Sequence, residues 1–318
     1  MLQFKYIFLV IAVCCISVSF SAPPNNFYTF NGYHNDTYLY TMGLLSYEVN
    51  VSRIYGQSFQ GIIALPQVNQ TSDSERLVIY LDDNLQTNLG TLNLLTGQVD
   101  LIGGFSTPNY LKPYNIIKQS MGYDMNTKEL YYAAVFNGYV YMVTCPLGNA
   151  KPIVVNTAIS CNETYYSYLI GTYNLDGNFY FAVVTPQGYT IVSYNIASQS
   201  IVNNMGVAVS NVGFVQNMIS YQGTPYIIQL RPASSIFNTY EISTNQTSFM
   251  LRNTYTLPYS VNQINAIFSP GYLNFVGSNS VPTSTSYLVT MPFPNFVNNP
   301  IITKFPANLN TTSLIFLQ

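Results

Sequence analysis

Five stretches of the chain repeat one layout at a nearly fixed spacing, and that repeat constrains the fold more than any other feature. Gly90, Tyr139, Tyr189, Phe237 and Ser286 open, or sit next to, the second short strand-like run of each stretch after its first turn; they lie 49, 50, 48 and 49 residues apart. The first full example is Leu77 to Gly104, which reads as a strand over Leu77–Leu81, a polar loop from Asp82 to Asn88, a strand over Leu89–Leu94, a Thr96-Gly97 turn and a strand over Val99–Ile102. Glycine at such a turn supplies positive φ without steric cost, so the flanking strands fold back as a hairpin. A fourth strand precedes each first turn, at Ile62–Leu65, Ile116–Met121, Tyr168–Tyr173, Val215–Ser220 and Ile264–Phe268. Units of four short strands that recur at a constant period cannot bury their faces alone and must stack on their neighbours.

The copies are well illustrated by GYDMNTKELYYAA followed by GYVYMVTCPLGNAKPIVV, from Gly122 to Val155. With this layout the chain resembles, over Gln60 to Phe305, the β-propeller superfamily of WD40, Kelch and YVTN-type repeats. It has no Trp, hence no WD dipeptide, and no Kelch double glycine, so the resemblance is one of blade layout. The composition, rich in Asn, Tyr, Ser and Thr, also resembles that of secreted proteins of social amoebae. Five units leave the irregular segment up to Val51 and the tail Thr311–Gln318, together about one more blade. The expectation is therefore an all-β, six-bladed propeller whose ring is closed by strands from both termini, which removes the last open sheet edges. Seven blades, or a pair of β-sandwiches, are the alternatives.

The first residues fix a compartment. Lys5 precedes an apolar run from Tyr6 to Val18, followed by the small residues Ser19, Ser21 and Ala22, which is the grammar of a secretory signal cut near Ala22. The run is shorter than the ~20 residues of a membrane span. Residues 1–22 read as signal peptide and 23–318 as one propeller domain, secreted and with no membrane span after cleavage. Six Asn-x-Ser/Thr triplets, at Asn35, Asn50, Asn69, Asn162, Asn245 and Asn310, then predict N-glycosylation on surface loops. Cys14 and Cys15 leave with the signal, and the remaining pair, Cys145 and Cys161, is expected to form a disulfide. Simple blade topology places those two cysteines towards opposite faces, so a bridge requires the connection to fold back along the blade.

Charge excludes some partners. Only 7% of residues are charged, against a usual share of about 25%, and the net charge is −2. Such a surface holds no basic stripe for nucleic acid. Catalytic equipment is equally sparse. His34 is the sole imidazole and sits in a polar run beside a sequon, and no nucleophile elbow, zinc helix or phosphate loop occurs. Asp82 and Asp83 are the one adjacent acidic pair of the mature chain, and Asp124, Glu129 and Asp176 fall at turns, where local side-chain to backbone bonds explain them. No cofactor is implied; Asp82-Asp83-Asn84 offers hard oxygens for Ca²⁺ but lacks the spacing of a calcium loop. The sequence favours a binding or scaffold module for an extracellular glycan or protein, with a carbohydrate-active enzyme using a carboxylate pair as the alternative.

In a propeller, the loop after each unit's second strand and the loop between units emerge on one face. Candidate ligand contacts there are Asp82, Asp83, Asn84, Asn137, Gln187 and Arg231, with the inter-blade aromatics Tyr110, Tyr114 and Tyr259. Tyrosine joined to amides suits sugar or protein recognition, because the ring offers apolar area and the hydroxyl a hydrogen bond.

Overall fold

The computed structural model describes residues 26–33, 36–43, 49–54, 61–64, 75–82, 84, 86–111, 121–161, 168–174, 176–185, 188–208, 214–221, 223–230, 234–243, 249–261, 263–269, 272–278, 286–293, 301–305 and 313–316. Twenty-four strands and one 3-10 turn, Asn109–Leu111, lie in this set. In chain order they are β1 (Asn26–Tyr33), β2 (Asp36–Gly43), β3 (Val49–Ile54), β4 (Gly61–Ala64), β5 (Glu75–Leu81), β6 (Thr87–Asn93), β7 (Val99–Phe105), β8 (Met121–Asp124), β9 (Glu129–Phe136), β10 (Tyr139–Pro146), β11 (Ile153–Ser160) and β12 (Tyr168–Tyr173). The second half holds β13 (Asn178–Thr185), β14 (Gly188–Asn195), β15 (Ser200–Ala208), β16 (Phe214–Tyr221), β17 (Thr224–Leu230), β18 (Ser234–Ile242), β19 (Phe249–Val261), β20 (Gln263–Ser269), β21 (Tyr272–Ser278), β22 (Ser286–Pro292), β23 (Ile301–Phe305) and β24 (Ser313–Phe316).

These strands pair as four-stranded antiparallel meanders β4-β5-β6-β7, β8-β9-β10-β11, β12-β13-β14-β15, β16-β17-β18-β19 and β20-β21-β22-β23. A further sheet has the order β24-β1-β2-β3, with Phe27 opposite Phe316 and Phe30 opposite Ser313. The five sequence units correspond to the five meanders, except that the second unit's first strand, expected over Ile116–Met121, is observed as Met121–Asp124, with residues 116–120 outside the described set. The β1 segment, NFYTFNGY, carries no strand signal in the sequence because two Asn and a Gly interrupt its aromatic alternation. The longest strand is β19, which runs 13 residues.

Apolar layers between successive sheets form the core. Ile79, Leu81, Leu89 and Phe105 pack with Leu130, Tyr132, Val143 and Cys145. The opposite side of that second sheet presents Tyr131, Ala133, Val140 and Met142 to Phe179, Phe181, Val192 and Tyr194. Ile170, Tyr180, Ala182 and Ile191 then meet Met218, Ile227 and Ile242, and Ile219, Tyr226, Ile228 and Leu257 meet Leu273, Val289 and Met291. A strand covered on both faces reads as a continuous apolar run, which is why Phe179-Tyr180-Phe181-Ala182 shows no alternation and is wholly buried. Each such aromatic contributes about 1.5–3 kcal/mol through burial. The first strands of the units lie side by side, β8 by β12, β12 by β16 and β16 by β20, while β24 lies between β20 and β4.

Hydrogen bonds stitch neighbouring sheets at the repeat spacing. The Tyr173 hydroxyl donates to Asp124 Oδ2 at 3.0 Å, and Asn174 Nδ2 donates to the Gly223 carbonyl at 2.9 Å, each across 49 residues. Gly122 allows this approach: a Cβ there would lie 2.0 Å from the Tyr173 Cβ. At the rim, Gly148 N–H donates to the Gly104 carbonyl at 2.8 Å.

The outer strands share a second regularity. Between β6 and β7 the register moves from Leu89–Gly103 to Gly90–Leu101, leaving Ile102 as an extra residue. The same step leaves Val202 extra on β15 and Arg252 extra on β19. The β10–β11 pair is interrupted over Thr157–Ile159, with Ala158 at φ 58°. Pairs β2–β3 and β22–β23 run without a shift.

The expected Cys145–Cys161 disulfide is absent: both residues are buried and unbridged. Cys145 lies near the end of β10, whereas the Cys161 N–H donates to Gly138 O at 2.8 Å, beside the start of that strand. Six strand residues separate the two levels, roughly 20 Å at about 3.3 Å per residue. A disulfide needs Cα atoms within about 7 Å. The cysteines do lie towards opposite ends of the blade, and β11, though interrupted near Ala158, runs alongside β10 instead of folding back to join them.

Candidate functional site

The β9–β10 connection is a two-residue turn, Asn137-Gly138, with φ of 50° and 79°. Two positive φ values define the type I′ hairpin turn, and Asn-Gly is the pair that adopts it most readily. The turn fixes the register so that Phe136 pairs with Tyr139. Tyr141, two residues on, returns to the same side of the strand, and its ring centroid lies 6.3 Å from that of Phe136.

Tyr110 reaches this corner from the preceding unit. It sits in the Asn109–Leu111 turn, pinned by its buried neighbour: Leu111 is 1% exposed, and its carbonyl accepts from the Tyr132 hydroxyl at 2.8 Å. The Tyr110 ring lies 5.2 Å from Phe136 at an interplanar angle of 59°. Phe136 is thus the centre of an aromatic group whose outer members, Tyr110 at 54% and Tyr139 at 46%, are exposed to solvent beside exposed Asn137. Asn156 Nδ2 donates to the Tyr141 hydroxyl at 3.2 Å and orients that ring.

The supporting groups are neutral. Burial drives the Tyr132 phenol far above its ordinary range, with Cys145 beside it adding to the rise, so Tyr132 stays a donor. Burial likewise pushes the Cys145 thiol up to about 12. The corner offers two rings, amide groups and phenolic hydroxyls. Such a surface can stack and hydrogen-bond with a neutral, polar ligand.

The structure brings Tyr110 and Asn137 together and treats the other candidates differently. Asp82 organises its own loop: Oδ1 accepts the N–H groups of Asn84 and Gln86, both at 2.9 Å, and Oδ2 accepts from Asn88 Nδ2 at 3.2 Å. Gly104 leaves room for this loop, since a Cβ there would lie 2.7 Å from Gln86 Nε2. Asn84 is exposed. Tyr259 falls within strand β19 and not in a connection between sheets, because β19 runs on almost to β20. Asp83, Tyr114, Gln187 and Arg231 lie outside the described residues, as do residues 1–22 and the sequons Asn35, Asn69, Asn162, Asn245 and Asn310. Asn50 lies in β3.

The turn acids are engaged in architecture. Asp124 accepts the Asn126 N–H at 2.7 Å as well as the Tyr173 hydroxyl. Glu129 accepts the Tyr131 hydroxyl at 2.7 Å, and Asp176 accepts the Asn178 N–H at 2.9 Å and the Tyr180 hydroxyl at 2.8 Å. Phe136, Tyr139 and Tyr141 escaped the sequence reading of the site. The available signal was their placement: two aromatics flanking an Asn-Gly turn face the same way.

No protein-family model matches this sequence, and no curated protein does. Solved structures do. A putative TolB from Agrobacterium tumefaciens aligns with TM-score 0.51 and 12% identity, covering 92% of this chain and 93% of its own. A protein from Lactobacillus plantarum aligns with TM-score 0.51 and 8% identity, covering 92% and 99%. At such identities the likeness speaks for the fold alone, and together with the repeated four-stranded sheets it makes this chain a β-propeller.

Proposed function

We propose that this protein is a secreted, N-glycosylated, six-bladed β-propeller that binds an extracellular glycan at the corner formed by Tyr110, Asn137 and Tyr139. The six-bladed ring is supported by the pairing of β24 with β1 and by the place of β24 between β20 and β4. Closure of this kind completes the last blade, so that its innermost strand is supplied by the C-terminal segment and stands among the first strands of the other units. Secretion rests on the leader-like residues 1–22 and the six sequons.

One observation carries the binding role: Tyr110, packed on the half-buried Phe136, and Tyr139, the ladder partner of Phe136, are both exposed, held by a type I′ turn and by the Tyr132–Leu111 hydrogen bond. Large aromatic rings left in solvent at a rigid corner provide apolar faces for the C–H faces of a sugar, while the Asn137 amide provides polar contacts. With 7% charged residues, recognition by ion pairing has little to work with.

Purified secreted protein, screened on a glycan array and titrated by calorimetry, should show saturable binding. Tyr110→Ala and Tyr139→Ala should each weaken it by about 1 kcal/mol, roughly fivefold in Kd, with an unchanged melting temperature. Saturable binding indifferent to both substitutions would place the site elsewhere, and absence of any glycan ligand would end the reading.

A further inference from the structure

We propose that the Tyr141 hydroxyl donates a hydrogen bond to the bound glycan and that Asn156 is the positioning residue that turns it outward. The inference rests on the glycan reading of the corner above and adds to that site a polar contact from its own face of the sheet. Phe136, Tyr139 and Tyr141 lie on one face of the β9–β10 hairpin, and Asn156, the partner of Tyr141 on β11, continues that face outward. Beside these residues β11 is broken. Tyr139 pairs with Ser160 and Tyr141 with Asn156, so Thr157, Ala158 and Ile159 stand against Val140 alone. The break is built into the fold: the buried Thr157 hydroxyl donates to the Val140 carbonyl at 2.7 Å, and exposed Ala158 is held at φ 58°. Among the described residues the other non-glycines with positive φ, Lys128, Asn137 and Gln199, lie in turns. An alanine within a strand keeps that conformation against the crowding of its Cβ, which the surrounding bonds must offset.

Those bonds fix the direction of the Asn156 amide. The Ala158 N–H, which can only donate, meets Asn156 Oδ1 at 2.8 Å, so the amide nitrogen is the end that faces Tyr141. Nδ2 donates to the Tyr141 hydroxyl at 3.2 Å. A hydroxyl that accepts from an amide has its own hydrogen left to give, and this one meets no acceptor among the described residues. Tyr141 is half-buried and Asn156 exposed, so the donor is presented at the solvent end of the aromatic group. A sugar whose apolar face rests on Tyr110 or Tyr139 carries hydroxyl and ring oxygens at its rim, and one of these is the acceptor.

Two units on, the corresponding row is closed. Asn238 takes the place of Tyr141 on the third strand, and Thr254 that of Asn156 on the outer one. The Thr254 hydroxyl donates to Asn238 Oδ1 at 2.9 Å, Asn238 Nδ2 donates to Gln229 Oε1 at 3.3 Å, and Gln229 Nε2 donates to the Tyr189 hydroxyl at 2.9 Å. Asn238 and Gln229 are buried, so that row serves the core between sheets. The Tyr141–Asn156 row has the same strand placement and an open end.

The test titrates the full secreted chain by calorimetry with the tightest-binding oligosaccharide from an array of chitin, cellulose, mannan and galactan fragments, and reads melting temperature in parallel. Tyr141→Phe removes the hydroxyl alone and should raise Kd roughly fivefold with the melting temperature unchanged. Asn156→Asp keeps an oxygen for the Ala158 N–H, but its second oxygen accepts where Nδ2 donated, so the Tyr141 hydrogen turns to the carboxylate. That variant should bind as weakly as Tyr141→Phe, and the double variant no more weakly than either. If Tyr110→Ala and Tyr139→Ala weaken binding while Tyr141→Phe does not, the donor is overturned and the glycan reading stands. Asn156→Asp that binds like the wild type, or that loses binding together with melting temperature, would overturn the positioning role. No saturable binding to any fragment would instead overturn the glycan reading beneath the proposal.

Discussion

Cys145 shows how burial replaces covalent chemistry at single positions. Its side chain packs with Leu130, Tyr132 and Val143, and burial raises its thiol from an ordinary 9.0 to about 12. A thiol held neutral in an apolar layer is a poor nucleophile, since the thiolate is the reactive form. Thiol reagents should therefore find neither Cys145 nor Cys161 in the native state and both after denaturation; a disulfide between them would give neither in either state. The sign of the pH dependence follows from the same rise. Above about pH 9 the unfolded chain gives up the Cys145 proton while the folded chain keeps it, so stability is complete below that pH and falls towards pH 12. Buried phenols add to this loss, with Tyr226 pushed up to about 12 and Tyr131, Tyr173 and Tyr180 higher still, mainly by burial. Melting temperature followed from pH 8 to pH 11 should decline throughout the alkaline half, and a flat profile would contradict it. Blade topology already placed the two cysteines towards opposite faces; the expectation of a bridge came from their even number alone and gave way to that geometry.

Among elements, adjoining sheets meet most closely where Gly122 on β8 faces Tyr173 on β12. Gly122→Ala forces a methyl group against that side chain's Cβ and should destabilise the fold by about 1–3 kcal/mol, measured by urea denaturation. Two residues on, Asp124 receives the Tyr173 hydroxyl. Tyr173→Phe should cost about 1.5–3 kcal/mol as a bond to a charged group, and a double-mutant cycle with Asp124→Asn should reveal coupling between the two; purely additive effects would show the stitch to be energetically idle. The strands themselves were legible. Predicted Leu77–Leu81 is observed as Glu75–Leu81 and predicted Tyr168–Tyr173 is β12 itself, because short apolar runs between Gly and Asn turns leave little freedom in their placement. The aromatic corner was half legible: Tyr110 and Asn137 were named, while Phe136, Tyr139 and Tyr141 were not, because strand alternation does not reveal which face ends in solvent. Asp82, the most conspicuous acid in the sequence, turns out to spend its oxygens on its own loop.

At the scale of the molecule, the two termini share one sheet: four residues of β24 pair with β1. Truncation after Asn310 removes that strand and exposes one edge of β1 together with its neighbours β4 and β20. The shortened protein should lose cooperative unfolding and bind a hydrophobic dye, and retention of a sharp single transition would show that the fold does not depend on β24. The register steps on the outer strands have a different consequence. Ile102, Val202 and Arg252, the three extra residues, stand 100 and 50 positions apart, the same interval as the blades. Inserting one residue in a strand turns every later side chain to the opposite face, so such a step is hard to gain independently or discard casually. Three outer ladders carry such a step, and it falls at different points along them: early in β6, late in β14 and β18. The outer ladders are thus broken locally while the four-strand layout to which they belong is kept.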